Sequence, residues 1–207
     1  MVEQLKTGTT TVGIVCSDGV ILAADKRATA GHLIVDKRAQ KVHKINENIA
    51  VTIAGGVSDA QLAIKLIRAE IKLKEVRTGK TSTVKEVANL LGNLLYNQIR
   101  RMIPGIAHFL VAGRDSRGVY LYDCFPDGSV TQIRDFFSSG SGSVFALGVL
   151  ETQFKEGLSV NEGADLAKLA INTSLKRDSA SGNGIDIISI KSDGIKNIVN
   201  IEIEPKL

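Results

Sequence analysis

The chain has 207 residues, of which 43% are hydrophobic and 23% are charged, and its formal net charge at pH 7 is +4. These values are typical of a soluble globular protein of one domain, and the interspersed charges favour a mixed solvated surface over a nucleic-acid groove. No segment is apolar enough for a signal peptide or a membrane span, so we expect a cytoplasmic protein that binds neither nucleic acid nor membranes.

Runs of β-branched and apolar residues predict strands that come in three blocks. The predicted strands cover residues 9–16, 20–26, 41–45, 49–54, 107–112, 119–124, 130–133, 185–190 and 195–203. Turn residues at 17–19, 115–118 and 193–194 join neighbouring strands into hairpins.

Apolar residues at helical spacing predict one pair of helices after the first strand block and another pair after the second. The predicted helices run from 58 to 79, from 83 to a stop before Pro104, from 144 to 154 and from 160 to 175. Three of them begin in a predicted capping box, formed by Ser58 with Gln61, Thr83 with Glu86, and Ser159 with Glu162.

This order of elements predicts the fold class. Strands that come in blocks favour antiparallel sheets over alternating parallel units. A helix pair covers one face of a sheet and leaves the other face apolar, so two such sheets would pack face to face. We therefore predict an α+β protein with a four-layer αββα sandwich in a single domain.

Several familiar catalytic signatures do not occur in the sequence. It contains no phosphate-binding loop with its lysine, and no GxSxG turn supports a serine nucleophile. His32, His43 and His108 belong to no metal-binding motif, and Cys16 and Cys124 show no metal spacing. We therefore predict no metal centre and expect the two cysteines to be buried free thiols.

The threonine-rich run near the start of the chain suggests another kind of nucleophile. The hydroxyl of Thr9 needs a base, and a free α-amine on the same residue, with a pKa of about 7.7–8.0, could serve. This requires cleavage after Gly8, a residue that tolerates the tight turn of a self-cleaving bond. Thr10 and Thr11 are poorer candidates, because each shift along the strand reverses the side-chain face or moves the hydroxyl two residues away. By itself, such a run is more often an ordinary strand start.

Two further features fit an N-terminal nucleophile. Asp25 and Lys41 lie at the end of one predicted strand and the start of another, where an ammonium could lower the hydroxyl pKa and a carboxylate could hold that ammonium. A surface ion pair is the alternative. Gly55 and Gly56 lie between a strand and a helix, and could present a backbone N–H to an oxyanion or form an ordinary turn.

Six segments form a long ordered pattern from Thr7 to about Ile190. They read TGTTTVGIVCSDGVILAADKRAT, QKVHKI, IAVTIAGGVSDA, LVAGRDSRGVYLYDCFPDGSV, GSGSVFALGVLE and RDSASGNGIDI. This pattern resembles the β-type subunits of the 20S proteasome in their single-type archaeal form. The resemblance implies the N-terminal nucleophile hydrolase fold and a threonine endopeptidase that degrades unfolded polypeptides.

The resemblance also implies a role for individual residues. Residues 1–8 would be a propeptide removed by autocatalysis between Gly8 and Thr9, which leaves one domain over 9–207. The implied catalytic residues are Thr9, Asp25, Lys41, Gly55, Ser141, Asp178 and Ser181, with Arg27 in a supporting position. The implied substrate-binding residues are Ala28, Thr29, Ile53 and Val57, whose small and aliphatic side chains suggest an apolar preference.

The family further implies partners for this chain. Its members form seven-membered β rings, stacked in pairs between α-subunit rings, and an ATP-dependent regulator unfolds their substrates. No metal or organic cofactor is implied. Two alternatives stay open: a ring-forming β subunit with little activity unless mixed with a second β type, and an N-terminal hydrolase that acts on small amides.

Overall fold

The computed structural model describes residues 8–100 and 107–203, with the side chain of Arg100 excepted. Within these ranges the helices are α1 Val57–Thr78, α2 Val84–Arg100, α3 Ser143–Gln153 and α4 Val160–Arg177. The strands are β1 Thr11–Val15, β2 Val20–Asp25, β3 Ala28–Ala30, β4 Leu33–Asp36, β5 Val42–Lys44, β6 Ile49–Ala54, β7 His108–Asp115, β8 Gly118–Cys124, β9 Val130–Ile133, β10 Phe136–Ser139, β11 Gly184–Lys191 and β12 Gly194–Glu202.

Ten of these strands form two five-stranded sheets. The first has the order β10-β1-β2-β11-β12 and the second the order β5-β6-β7-β8-β9, while β3 and β4 form a separate hairpin. Every pairing found in the described ranges is antiparallel. The first predicted strand block is therefore divided between the sheets, since β1 and β2 join one sheet and β5 and β6 join the other.

The apolar residues of each central strand serve two cores at once. In β2, Val20 and Leu22 face the second sheet, whereas Ile21 and Ala23 pack against α3 and α4. This follows from the strand period of two, which sends successive side chains to opposite faces. Strand β7 alternates in the same way between the first sheet and the pair α1 and α2. The result is the predicted α+β fold, a sandwich in the order helices, sheet, sheet, helices.

Strand ends of the first sheet meet at one end of the sandwich. β2 ends at Asp25, which pairs with Ile185 near the start of β11, and β1 begins with Thr11 paired to Ala24. The residues just before β1, just after β2 and just before β11 are thereby brought together. Three of the seven predicted catalytic residues, Thr9, Asp178 and Ser181, belong to these connecting segments, and Asp25 is the last residue of β2.

All nine predicted strands are present, and the largest difference is in β7, which continues to Asp115. The sequence did not indicate β3, β4 or β10. Strands β3 and β4 are only three and four residues long, and β4 is exposed along its whole length, so neither carries a clear alternating pattern. Gly79 ends α1 in the left-handed conformation, as predicted.

Two of the three predicted capping boxes are confirmed. Glu86 and Thr83 exchange hydrogen bonds of 2.8 Å and 3.2 Å, and Ser159 with Glu162 forms a complete box. The prediction for Ser58 was wrong. The helix begins one residue earlier, with Gly56 in the capping position and no side-chain cap, so Ser58 lies inside the first turn. The stop of α2 before Pro104 falls outside the described residues.

Candidate active site

Thr9 is buried, and its side chain lies against the peptide bond that joins it to Gly8. Its Oγ donates a hydrogen bond of 2.5 Å to the carbonyl oxygen of Gly8. Lys41 Nζ donates to the same oxygen at 3.3 Å. Two donors therefore converge on one carbonyl, which is the arrangement that stabilises negative charge on its oxygen.

Lys41 and Asp25 form a buried ion pair beside this peptide. Nζ and Oδ1 are 2.6 Å apart, and the exposed fractions of the two side chains are 5% and 0%. The alternative of a surface ion pair is therefore excluded. Burial lowers the pKa of the Lys41 ammonium, and the carboxylate of Asp25 opposes that shift. A lysine with a lowered pKa releases a proton more readily.

Both carboxylate oxygens of Asp25 are fully engaged. Besides Lys41, Oδ1 accepts a hydrogen bond of 2.9 Å from the backbone N–H of Thr10. Oδ2 accepts from the N–H groups of Arg27 at 3.0 Å and Gly182 at 2.9 Å. These four hydrogen bonds hold the Asp25 carboxylate in one orientation, so its position beside the Lys41 ammonium is fixed.

A second polar network surrounds the nitrogen of Thr9. Its N–H donates to Ser141 Oγ at 3.2 Å, and Ser141 Oγ donates to Asp178 Oδ2 at 2.6 Å. Ser181 Oγ donates to the same carboxylate oxygen at 2.6 Å. The structure thus brings Ser141 to Asp178 and Ser181, although 37 positions separate Ser141 from Asp178 in the sequence.

Arg27 forms two hydrogen bonds with the segment that carries Ser181. Its Nε donates to Asn183 Oδ1 at 2.7 Å and its Nη1 to the carbonyl of Ser179 at 2.8 Å. Gly182 leaves room for the guanidinium, since a Cβ at that position would lie 2.3 Å from Arg27 Cζ. The supporting role of Arg27 stays a prediction.

A cavity of about 340 Å³ opens beside Thr9 and Lys41. Its lining includes all the predicted substrate-binding residues, which are Ala28, Thr29, Ile53 and Val57. Gly55 also lines it and has a φ of 92°, a left-handed conformation that favours glycine. The hydrogen bonds to the Gly8 carbonyl come from Thr9 and Lys41, so the part of Gly55 as an oxyanion donor stays a prediction.

Comparison with known proteins agrees with this geometry. The family model described as proteasome subunit matches residues 5–190. The chain belongs to the proteasome subunit family. It is 43% identical over 202 residues to the proteasome subunit beta of Archaeoglobus profundus, covering 98% of this chain and 93% of the relative. It is 44% identical over 198 residues to that of Methanocaldococcus jannaschii, covering 95% and 88%.

The other two threonines of the run in this proteasome subunit have different partners. Thr10 Oγ is 2.8 Å from Ser181 Oγ, and Thr11 Oγ is 2.7 Å from Ser139 Oγ. Both side chains are fully buried. Thr9 is therefore the residue of the three whose hydroxyl contacts the Gly8 carbonyl.

The sequence analysis missed part of the cavity wall of this family member. His43 and Gln61 line the cavity together with Val35 and Asp36 of β4. The sequence spacing could have indicated His43 and Gln61. His43 is two residues beyond Lys41 in the predicted strand, and Gln61 is four residues beyond Val57 along α1, so each is expected on the same side of its element as a predicted site residue. Val35 and Asp36 depend on the hairpin of β3 and β4, which the sequence did not indicate.

Residues 8–100 and 107–203 contain no group of three or more His, Cys, Asp or Glu side chains arranged to hold a metal ion. No helix in these ranges is long and apolar enough to cross a membrane. Cys16 and Cys124 are buried free thiols, as predicted.

Proposed function

We propose that this chain is the catalytic β subunit of the 20S proteasome core particle, a threonine endopeptidase that processes itself between Gly8 and Thr9. The observation that carries the proposal is the convergence of the Thr9 hydroxyl and the Lys41 ammonium on the Gly8 carbonyl oxygen. The mature domain would comprise residues 9–207, and residues 1–8 would be the propeptide.

Self-processing begins with attack of Thr9 Oγ on the carbonyl carbon of Gly8. The Lys41 ammonium stabilises the oxyanion, with a further contribution from the N–H of Gly55. When the C–N bond breaks, the hydroxyl proton passes to the nitrogen of Thr9, and an ester joins Gly8 to Oγ. Water then hydrolyses the ester, which releases the Gly8 carboxylate and leaves Thr9 with a free hydroxyl and a free amine.

The new amine supplies the base for peptide hydrolysis. Because Thr9 N already lies 3.2 Å from Ser141 Oγ, the amine is held by the network of Ser141, Asp178 and Ser181. It accepts the Thr9 hydroxyl proton as Oγ attacks the substrate and later donates it to the leaving nitrogen. Asp25 keeps Lys41 next to the reacting oxygen throughout, and no cofactor takes part.

The substrates would be unfolded polypeptides that lie extended along the edge near Thr29 and Gly55, as an added strand. The side chain before the cut would enter the cavity lined by Ala28, Ile53 and Val57. The β chains would work in the cytoplasm in two stacked seven-membered rings between α rings, and an ATP-dependent regulator would unfold the substrates. A nonspecific protease is safe for the cell when its sites are enclosed in this way.

Replacing the nucleophile tests this proposal. In the assembled particle we expect the wild-type β chain to have the mass of residues 9–207 and to cleave peptides, whereas Thr9→Ala should retain residues 1–8 and lose activity. Thr152→Ala, at an exposed position of α3, is the matched control, and it should still be processed. Processing or undiminished peptide cleavage in the Thr9→Ala particle would overturn the mechanism.

The same particles address the alternative of a subunit that needs a second β type. Particles that contain only this β chain should cleave peptides, because its own residues fill both polar networks around Thr9. Activity that appears only after a second β type is added would favour the alternative.

A further inference from the structure

The backbone N–H of Gly8 is held by a hydrogen bond, as its carbonyl oxygen is. Gly8 N donates a buried hydrogen bond of 2.8 Å to the side-chain Oγ of Thr29. Thr29 is itself 5% exposed and lies in β3, on the wall of the cavity. With Thr9 and Lys41 on the carbonyl oxygen, the residue before the cut is therefore fixed from both ends.

Ala180 closes the remaining side of Gly8. A Cβ built on Gly8 would lie 1.9 Å from Ala180 Cβ, 2.6 Å from its carbonyl oxygen and 2.7 Å from its carbonyl carbon. Carbon atoms in favourable contact are about 3.5–4.0 Å apart, so no side chain fits at position 8 without movement. This requirement for glycine is steric and independent of the turn chemistry of Gly8.

Hydrogen bonds restrict the movement of the segment around Ala180. The Ala180 N–H donates to Asp178 Oδ1 at 3.2 Å, and the neighbouring Ser179 carbonyl accepts from Arg27 at 2.8 Å. Gly182 N–H, two residues further on, is bound to Asp25. Ala180 thus stands between both polar networks, and displacing it would disturb the groups that serve Thr9.

We propose that Thr29 and Ala180 are positioning residues for self-cleavage. Thr29 Oγ fixes the backbone of Gly8 so that its carbonyl faces Thr9 and Lys41, and the methyl and carbonyl groups of Ala180 restrict position 8 to glycine. The inference rests on the proposed self-processing between Gly8 and Thr9. It adds two residues that act on the precursor rather than on the chemistry of the free amine.

The first experiment compares two substitutions of Thr29 in the full chain, with processing followed by intact mass during particle assembly. Thr29→Val keeps the shape but removes the acceptor, and processing should slow roughly ten- to hundred-fold because a buried N–H loses its partner. Thr29→Ser keeps the hydroxyl and should stay within about three-fold of wild type. Equal processing rates for the two variants would show that Thr29 does not position Gly8 for cleavage.

The second experiment combines substitutions at positions 8 and 180. Gly8→Ala should slow processing at least about hundred-fold, and adding Ala180→Gly should recover about three-fold, because the nearest obstructing atom is gone while the carbonyl oxygen and carbon of residue 180 remain 2.6 Å and 2.7 Å away. Recovery in the double variant also shows that Gly8→Ala does not merely misfold. Processing of Gly8→Ala at the wild-type rate, or no recovery in the double variant, would overturn the role of Ala180.

The wild-type particle separates this inference from the proposed function. A processed and active wild type establishes the peptidase, and the ratios between variants then decide on Thr29 and Ala180 alone. A wild-type chain that keeps residues 1–8 would overturn the proposed function and this inference with it.

Discussion

The two halves of the sandwich have the same architecture but supply different parts of the site. The half built on the first sheet with α3 and α4 contributes Thr9 and Asp25, together with the hydroxyl and carboxylate network around the Thr9 nitrogen. The half built on the second sheet with α1 and α2 contributes Ile53, Gly55 and Val57 to the cavity wall.

Lys41 is the exception to this division. It immediately precedes β5 of the second sheet, and its carbonyl accepts a hydrogen bond of 2.9 Å from Ile53 N–H. Its ammonium nevertheless crosses to Asp25 and Gly8, on the other half. The comparison indicates that one half carries the nucleophile of the proposed mechanism and the other half contributes part of the cavity wall, with a buried ion pair joining them.

Removal of the Lys41 side chain should have the largest effect on activity. Lys41→Ala deletes the donor on the reacting oxygen, and we expect peptide cleavage to fall by at least ~10²-fold. Lys44→Ala is the matched control, because Lys44 is an exposed lysine of the adjacent strand β5. Initial rates on a fluorogenic peptide measure both. Similar rates in the two variants would show that the halves are not linked through Lys41.

The counter-ion on the other half should matter for stability as well as activity. Asp25→Asn leaves the Lys41 ammonium buried without its partner, and we expect a loss of about 3–5 kcal/mol in the free energy of unfolding. Asp165→Asn, on the exposed face of α4, should change it by less than about 0.5 kcal/mol. Urea unfolding of the full chains measures the difference, and coincident midpoints would contradict the prediction.

A substitution in the cavity wall of the second half should alter which residue is preferred before the cut, without moving Thr9 or Lys41. Ile53→Glu introduces a carboxylate into the apolar wall, and we expect relative cleavage after basic residues to rise about ten-fold over cleavage after aliphatic residues. Ile53→Val, which keeps the wall apolar, is the control. Paired peptides that differ only in the residue before the cut provide the measurement, and an unchanged profile in Ile53→Glu counts against the pocket.

The smallest effect concerns the pH dependence of stability in the pocket half. Burial and the nearby Arg68 lower the pKa of His43 below 6.5. The unfolded chain therefore binds a proton at His43 before the folded chain does, and stability should decrease as the pH falls from about 6.5 towards the lowered pKa. His43→Asn should remove roughly 2 °C of the Tm decrease between pH 7.5 and pH 5.

His32→Asn is the control for this measurement, because His32 is exposed on the turn between β3 and β4. It should leave the Tm difference between the two pH values as it is in the wild type. A Tm difference that is equally large in wild type and in His43→Asn would show that other groups cause the acid sensitivity.

The sequence was informative where a signal is local. The apolar run of β2 and the reciprocal side chains of Thr83 and Glu86 are visible in residues close together in the sequence, and both were predicted correctly. Ser58 misled the prediction because Gly56, which has no side chain to read, occupies the capping position. Strand β4 is short and exposed, so its cavity residues Val35 and Asp36 could not be found from a pattern.

By itself the sequence determined which groups are available: a threonine after a glycine, an aspartate, a lysine and a set of hydroxyls, within an αββα order of elements. Tertiary structure decided that Lys41 and Asp25 are buried together and that Asp178 binds both Ser141 and Ser181. It also decided that Ala180 stands where a side chain at position 8 would be. The contacts of Lys41 with Asp25, of Ser141 with Asp178 and of Ala180 with position 8 join residues 16, 37 and 172 positions apart, and only the packing of the two sheets and their connecting segments brings such residues into contact.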